Sequence, residues 1–221
     1  MSTTHPVMLA YEQTKNTAIP LILVVGREPN KGSGISVSCV EDIPFRKVIE
    51  IDEDGKKKKI HFSRCGLWNI SFKIIADALN ENSAHKKLFN TALIKNAFEK
   101  RHACPIIIID ASPMSIESKE KNKKVIRDAI PEKEYDLHLD RIFEQNNLLS
   151  RVKIVLFSGL DNFSYFRKHF EIKMKENHYS FPIVSLPFFY GTNSKGIKAG
   201  LSKHKEIITE IANAFINLPT N

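Results

Sequence analysis

Cysteine is scarce in this sequence, and its few residues lack the spacing of a cross-link or a metal centre. There are 3 cysteines in 221 residues, with no CxxC pair. An odd number without paired spacing argues against a disulfide framework and against a structural zinc site. The 8 histidines show no HxxxH or HExxH spacing, so we expect no metal and no cofactor. Free thiols favour a reducing compartment, the cytoplasm, or the nucleus in a eukaryotic cell.

Long hydrophobic runs are missing too. The longest apolar stretch is Pro20–Val25, far short of the ~20 residues that a membrane span needs. No charged segment leads into an apolar core near Met1, so we predict no secretory signal and no membrane partner. With 42% hydrophobic and 26% charged residues, the composition is typical of a soluble globular protein. The length predicts a single domain over residues 1–221 and leaves the oligomeric state open.

Acidic residues are outnumbered by basic ones. The formal net charge is +8 and the isoelectric point is near 9.3. A basic surface favours a polyanion such as DNA as partner, although many basic proteins bind none. The basic run Lys119–Arg127 is mixed with Glu117 and Glu120. It therefore suits either a solvated face or a track for DNA.

Four short apolar runs predict buried strands. Each is rich in β-branched residues, and an uninterrupted apolar run is typical of a strand covered on both faces, as in a parallel sheet. The four runs are Pro20–Val25, Pro105–Asp110, Val152–Phe157 and Phe181–Leu186.

Helical patterns lie between and after these runs. Strands that alternate with helices predict an α/β fold, which we expect to be a three-layer α/β/α sandwich with a central four-stranded, mostly parallel sheet. Asp161 is a suitable N-cap for the fourth of the helical segments. The five segments are Leu67–Leu79, Lys86–Lys100, Tyr135–Leu149, Asn162–Asn177 and Ser202–Ile216.

One segment interrupts this alternation. Arg46–Ile51 and Lys57–Phe62 flank Asp52–Gly55, and Asp-Gly between two extended runs is a hairpin signal. We predict an inserted β-hairpin over residues 46–62. The lysines Lys56–Lys59 suit a solvated tip or a finger that contacts phosphates.

Polar side chains follow the predicted strands, at the edge where open α/β sheets bind their ligands. The loop after the first strand, Gly26–Gly34, has neither the GxxxxGK[ST] nor the GxGxxG spacing of a phosphate-binding loop. On its own, it suits a plain turn in which Glu28 accepts a backbone hydrogen bond. Asp110, at the end of the second strand, equally suits an N-cap.

The motifs nevertheless resemble those of the uracil-DNA glycosylase superfamily. The sequence GREPNKGSG at Gly26–Gly34 is similar to the pattern GQDPYHGPG of the best-known branch, with four positions in register. Ile35–Ser38 resembles LCFS, and Gly66–Lys73 resembles SLxNIxKEL. Val152–Gly159 resembles VxFxLxG, and Leu186-Pro187 opens the last motif as in LPHPS. The pieces keep the family order between residues 20 and 200.

The resemblance implies roles for the first loop. Gly26, Arg27 and Pro29 fall in the substrate-binding turn, and Glu28 falls on the aspartate that positions water. Asn30 stands where the family has the tyrosine that excludes the thymine methyl group. Glu28 is therefore the expected catalytic residue, since a carboxylate can orient water and stabilise the positive charge that develops on the sugar.

The base-reading positions depart from the family. Val37 replaces the aromatic residue that stacks on uracil, which removes a contact worth ~1–3 kcal/mol. Asp110 replaces the asparagine that reads the uracil edge, and an ionised carboxylate only accepts hydrogen bonds, so it suits cytosine or adenine better. Phe188 replaces the catalytic histidine or asparagine and cannot donate to the leaving base, whereas Tyr190 or Asn193 can.

These expectations favour a DNA-base glycosylase-like protein that accepts a flipped base with unconventional base-reading residues. Whether it is an enzyme stays open at this point. One alternative is a non-catalytic nucleic-acid-binding relative of the same fold. Another is an unrelated α/β enzyme that acts on a small nucleotide or metabolite.

Overall fold

The structure is a computed structural model, which describes residues 18–26, 30–31, 48–51, 57–60, 73–77, 105–113, 116–117, 121–158, 164–186 and 201–216. Strands are numbered in chain order as β1 (Leu21–Gly26), β2 (Asn30–Lys31), β3 (Val48–Ile51), β4 (Lys57–Ile60), β5 (Ile106–Asp110), β6 (Ile116–Glu117), β7 (Val152–Ser158) and β8 (Ile183–Leu186). Helices are α1 (Lys123–Asp128), α2 (Glu132–Phe143), α3 (Asn146–Leu149), α4 (Ser164–Glu176) and α5 (Lys205–Ile216). Residues 73–77 are also helical, and a 3-10 turn at Ser202–His204 precedes α5.

Four strands form one sheet with the order β5-β1-β7-β8, and all three neighbouring pairs are parallel. The predicted α/β fold with a four-stranded sheet is therefore confirmed, and the sheet is parallel throughout. The last strand begins later than predicted because Pro182 has no amide hydrogen for the ladder. The carbonyl of Pro182 still accepts a hydrogen bond from the Val155 amide at 2.9 Å.

The strands of this sheet all run parallel, but the connections between them proceed towards one edge of the sheet and then towards the other. From β1 the chain crosses to β5 on one side, and from β7 it crosses to β8 on the other side. In open parallel sheets, a crevice opens at the carboxyl ends of the two strands where such a reversal occurs. Here those strands are β1 and β7, so the order of the sheet itself marks the place to look for a ligand.

Strand β1 lies in the interior of the sheet because all of its side chains are apolar. Each side chain from Leu21 to Val25 is at most 1% exposed. Leu23 is opposite Ile107 of β5 on one side and Val155 of β7 on the other. Burial on both faces is what the uninterrupted apolar run predicts for a parallel strand.

Helices α2 and α4 cover one face of the sheet through an aromatic cluster. Phe170 of α4 packs against Phe157 of β7 with ring centroids 5.6 Å apart and against Phe143 of α2 at 5.2 Å. Phe157 is 1% exposed and Phe166 and Phe170 are fully buried. Burying one such side chain contributes roughly 1.5–3 kcal/mol, so this cluster fixes both helices on the sheet.

The remaining architectural predictions rest on less of the described chain. On the opposite face of the sheet, Ile22, Val24, Ile108, Ile154 and Leu156 are also buried, but the three-layer arrangement stays a prediction.

Strands β3 and β4 pair antiparallel, with Val48 opposite Ile60. Residues 52–56 between them lie outside the described residues, so the inserted hairpin over 46–62 also stays a prediction.

One predicted helix is divided in the structure, and one helix of the structure was not predicted. The segment predicted as one helix over Tyr135–Leu149 is divided into α2 and α3. The division falls at Gln145, whose φ of −80° and ψ of 49° leave the helical region. Helix α1 was not predicted: it overlaps the basic run Lys119–Arg127, where the mixture of charges hides any helical periodicity.

Candidate functional site

The ends of β1 and β5 lie side by side at the carboxyl edge of the sheet. Gly26, the last residue of β1, is opposite Asp110, the last residue of β5. The amide of Ala111 donates a hydrogen bond to the carbonyl of Gly26 at 3.0 Å. The two strands therefore leave the sheet at the same level, and Asp110 stands next to the start of the first loop.

The chain segments beyond these two strands stay together. Asn30 is opposite Ile116, and Lys31 is opposite Glu117, in the short parallel pair of β2 and β6. The loop that follows β1 and the segment that follows β5 thus meet again outside the main sheet. This pairing gives the carboxyl edge a second point at which the two connections are held together.

His138 of α2 supports the end of β5 from inside the protein. Its side chain is only 6% exposed, and its Nε2 atom lies 2.7 Å from the main-chain oxygen of Asp110. The ring also lies 6.1 Å from the ring of Phe166 in α4. Because the acceptor is a carbonyl oxygen, Nε2 carries the hydrogen and donates.

The residues just after β5 are buried and are not helical. Ala111 is fully buried and Ser112 is 2% exposed, whereas Asp110 is half-buried. None of the residues 111–113 is helical. The alternative reading of Asp110 as the N-cap of a helix that starts there is therefore wrong.

On the β7–β8 side, the same edge of the sheet carries a positively charged side chain, Arg167 of α4. Its guanidinium lies 5.5 Å from the centroid of the Phe157 ring. The Nη1 atom donates to the hydroxyl of Ser185 in β8, and the Nε atom lies 3.0 Å from the carboxylate of Glu171. Phe157 and Ser185 are each next to last in their strands, so Arg167 stands at the carboxyl edge.

Ion pairs join α2 to α4 on the outer surface of the two helices. The Nζ atom of Lys173 is 2.7 Å from the carboxylate of Asp140, and the hydroxyl of Tyr165 donates to Asp136 at 3.1 Å. The hydrogen bond to Asp140 raises the pKa of Lys173 above its ordinary value. Desolvation and the hydrogen bond to Asp136 raise the pKa of Tyr165. These groups join the two helices to each other.

Three of the predicted site residues fall within the described chain. The backbones of Gly26 and Asp110 are neighbours in the main sheet, and Asn30 lies in β2. The others lie outside the described residues, so the convergence of Glu28, Asp110 and Tyr190 on one cleft stays a prediction. Those others are Arg27, Glu28, Pro29, Val37, Phe188, Tyr190 and Asn193.

Two residues of this edge were not predicted from the sequence, although one left a signal. Tyr135, His138, Leu139 and Ile142 follow the spacing of one buried helix face, so His138 is a polar residue on an apolar stripe. A polar side chain in that position needs a hydrogen-bond partner. Arg167 left no comparable signal, because an arginine within an amphipathic helix looks like any solvated residue.

Within the described part of the chain, no group of acidic, histidine or cysteine side chains could hold a metal ion. The helices in that same part are too short or too polar to cross a membrane. No protein-family model, no curated protein and no solved structure matches this chain. The resemblance to the uracil-DNA glycosylase superfamily therefore rests on the sequence motifs and stays a prediction.

Proposed function

We propose that this protein binds DNA and takes a flipped base into a pocket at the carboxyl edge of its sheet, as a DNA-base glycosylase-like protein. The observation that carries the proposal is the pairing of Gly26 with Asp110 at the ends of two parallel strands. Gly26 begins the segment that resembles the first motif of the family, and Asp110 stands at the position that reads the base in the family. The pairing therefore brings these two parts of the resemblance together. A net charge of +8 supports a polyanionic substrate.

The proposed reaction is hydrolysis of the N-glycosidic bond. Water attacks the anomeric carbon of the sugar, the bond to the base breaks, and the base leaves with the bonding electrons and takes up a proton. Glu28 orients the water and stabilises the positive charge on the sugar. Asp110 accepts hydrogen bonds from the amino group of the base, which favours cytosine or adenine.

The departure at Phe188 favours a second function, a protein that binds the flipped base without cleaving it. A phenyl ring cannot donate a hydrogen bond to the leaving base, so the negative charge on the base gains nothing from this position. In this alternative, the same pocket recognises the nucleotide, and the protein marks or shields it.

Release of free base from oligonucleotides that carry uracil, hypoxanthine or a mismatched base tests the proposal. We expect Glu28→Gln to lower the rate of base release by ~10²–10⁴-fold and to leave DNA affinity unchanged or slightly raised, because a negative charge near phosphate is removed. We expect Phe188→His to increase release of uracil by restoring a donor. Glu144→Gln, the same chemical change at the C-terminal end of α2, serves as the matched control.

Each outcome separates the functions. If the unmodified protein releases no base and Phe188→His adds nothing, catalysis is excluded and salt-dependent DNA binding supports the second function. If no DNA is retained even at low salt, both nucleic-acid functions fall. The remaining hypothesis is then an α/β enzyme that acts on a small nucleotide or metabolite.

A further inference from the structure

Arg167 stands at the carboxyl edge of the sheet, beside the ends of β7 and β8. It lies in the first turn of α4, which follows β7. Strand β7 is one of the two strands, β1 and β7, between which the order of the sheet predicts a ligand site. Neighbouring strands are about 4.8 Å apart. The end of β8, which Arg167 contacts through Ser185, is therefore roughly 14 Å from the end of β5, where Asp110 is.

The surroundings of Arg167 hold its guanidinium in one orientation. The hydrogen bond to Ser185, the contact with Glu171 and the ring of Phe157 hold it from three different elements. A long, flexible side chain usually loses conformational entropy when it binds a ligand. Here, part of that loss has already occurred in the free protein.

The guanidinium has donors left for a ligand. Of its five N–H groups, the contacts with Glu171 and Ser185 use Nε and one hydrogen of Nη1. The side chain is 41% exposed and Glu171 is 40% exposed, and exposed ion pairs of this kind contribute only about 0–1 kcal/mol. The singly charged phosphodiester of a DNA backbone can therefore compete with Glu171 and bind the donors of the guanidinium that remain free.

We infer that Arg167 binds a DNA phosphate that flanks the flipped nucleotide, and that Ser185 and Glu171 preset its orientation. This inference rests on the proposed function, and it adds a residue on the β7–β8 side of the crevice to those on the β1–β5 side. Contacts of this type position the nucleic acid and carry no sequence information. Arg167 then acts on affinity for every DNA sequence alike.

The test compares two single-charge variants at opposite ends of α4. Arg167→Gln removes a positive charge at the carboxyl edge, and Lys173→Gln removes one in the last turn of the helix. Binding of a fluorescein-labelled oligonucleotide is measured by anisotropy over a range of salt concentrations. We expect Arg167→Gln to weaken binding about tenfold and to reduce the slope of log affinity against log salt by about 0.9.

Lys173→Gln should leave that slope unchanged, which separates a phosphate contact from the loss of overall charge. Arg167→Lys should keep the slope and lose part of the affinity, since an ammonium group cannot form the forked contact. Glu171→Gln should raise affinity, because the amide oxygen of glutamine still accepts the hydrogen bond from Nε while the negative charge that competes with phosphate is removed. This opposite effect cannot arise from a variant that fails to fold.

The inference is overturned if Arg167→Gln and Lys173→Gln have the same slope and affinity while the unmodified protein still binds DNA. The proposed function survives that result. If the unmodified protein binds no DNA at any salt concentration, the inference and the proposed function fall together.

Discussion

The Nε2 atom of His138 lies 2.7 Å from the main-chain oxygen of Asp110, so α2 holds the end of β5 from within the core. Replacing His138 by Leu removes the donor of this hydrogen bond. We expect this to lower the free energy of unfolding by about 1–3 kcal/mol. His138→Gln keeps an N–H group at a similar distance from the helix and should recover much of the loss.

Urea denaturation, monitored by circular dichroism, measures these losses of stability. The affinity for an oligonucleotide shows whether the substitutions also change binding at the carboxyl edge of the sheet. Phe143→Leu is the control, because Phe143 is buried in the same face of α2 but packs near Tyr179, at the amino edge. Only the His138 variants should weaken binding of the oligonucleotide. Equal binding by His138→Leu and Phe143→Leu would contradict a link between His138 and the site.

Asp110→Asn should change which base the protein prefers. An asparagine amide both donates and accepts, whereas an ionised carboxylate only accepts. We expect the ratio of affinities for an extrahelical cytosine over an extrahelical uracil to fall about tenfold, within the ~1–3 kcal/mol that one well-placed pair of hydrogen bonds discriminates. Competition binding with oligonucleotides that differ only at that base measures the ratio. An unchanged ratio would show that Asp110 does not read the base.

The ion pair between Lys173 and Asp140 predicts a loss of stability in alkaline solution. The hydrogen bond to Asp140 raises the pKa of Lys173 from its ordinary value of 10.5. A raised pKa means that the pair stabilises the fold fully below the unfolded-state pKa, and that this stabilisation disappears as the pH rises through the folded-state pKa.

Asp140→Asn should therefore be less stable than the unmodified protein by about 0.5 kcal/mol near neutral pH. The difference should stay constant up to about pH 9 and shrink above pH 10.5. Glu144→Gln removes a carboxylate from the end of the same helix and should show no such shrinkage. If Asp140→Asn and the unmodified protein have the same free energy of unfolding at every pH, the pair contributes nothing to stability.

The C-terminus of α4 offers a site where stability can be increased. His178 has a φ of 59°, in the left-handed region that costs a side chain with a Cβ atom roughly 1–2 kcal/mol. Its amide bonds to the carbonyl of Lys175, and the amide of Tyr179 bonds to that of Met174, a Schellman motif in which glycine is preferred at this position. We expect His178→Gly to raise the free energy of unfolding by about 0.5–1 kcal/mol.

His178→Ala provides the comparison, because alanine keeps the Cβ atom and hence the cost of the left-handed conformation. Its stability should match that of the unmodified protein or fall below it. Thermal denaturation of the three proteins gives the order directly. A midpoint for His178→Gly below that of His178→Ala would mean that the imidazole itself stabilises the turn.

The four strands of the main sheet were predictable because each is a short apolar run rich in β-branched residues, which is typical of a strand in a parallel sheet. Leu21–Val25 and Ile106–Ile109 reveal their burial through their composition alone. The order of the strands was not predictable in the same way. The four runs are alike in polarity, so nothing in them selects a neighbour, and the order depends on crossovers that involve the whole chain.

The edge of the sheet was predictable only in part. Parallel strands end at the same edge, so the residues that follow each strand were expected to lie at one edge of the sheet. The pair of Asn30 with Ile116 left no periodic pattern, because two residues are too few to show one. Arg167 and His138 belong to helices outside the motifs, and their position follows from how α2 and α4 pack on the sheet.

The central position of β1 has a consequence for the newly made protein. The neighbours of β1 begin only at Ile106 and Val152, so a ribosome that adds ~5–20 residues per second leaves β1 with an open edge for about 6–25 s. During that time, an entirely apolar strand with unpaired amide and carbonyl groups can join a strand of another chain. Chaperones that keep nascent chains apart therefore matter more for this strand order than for one in which the first strand lies at the border of the sheet.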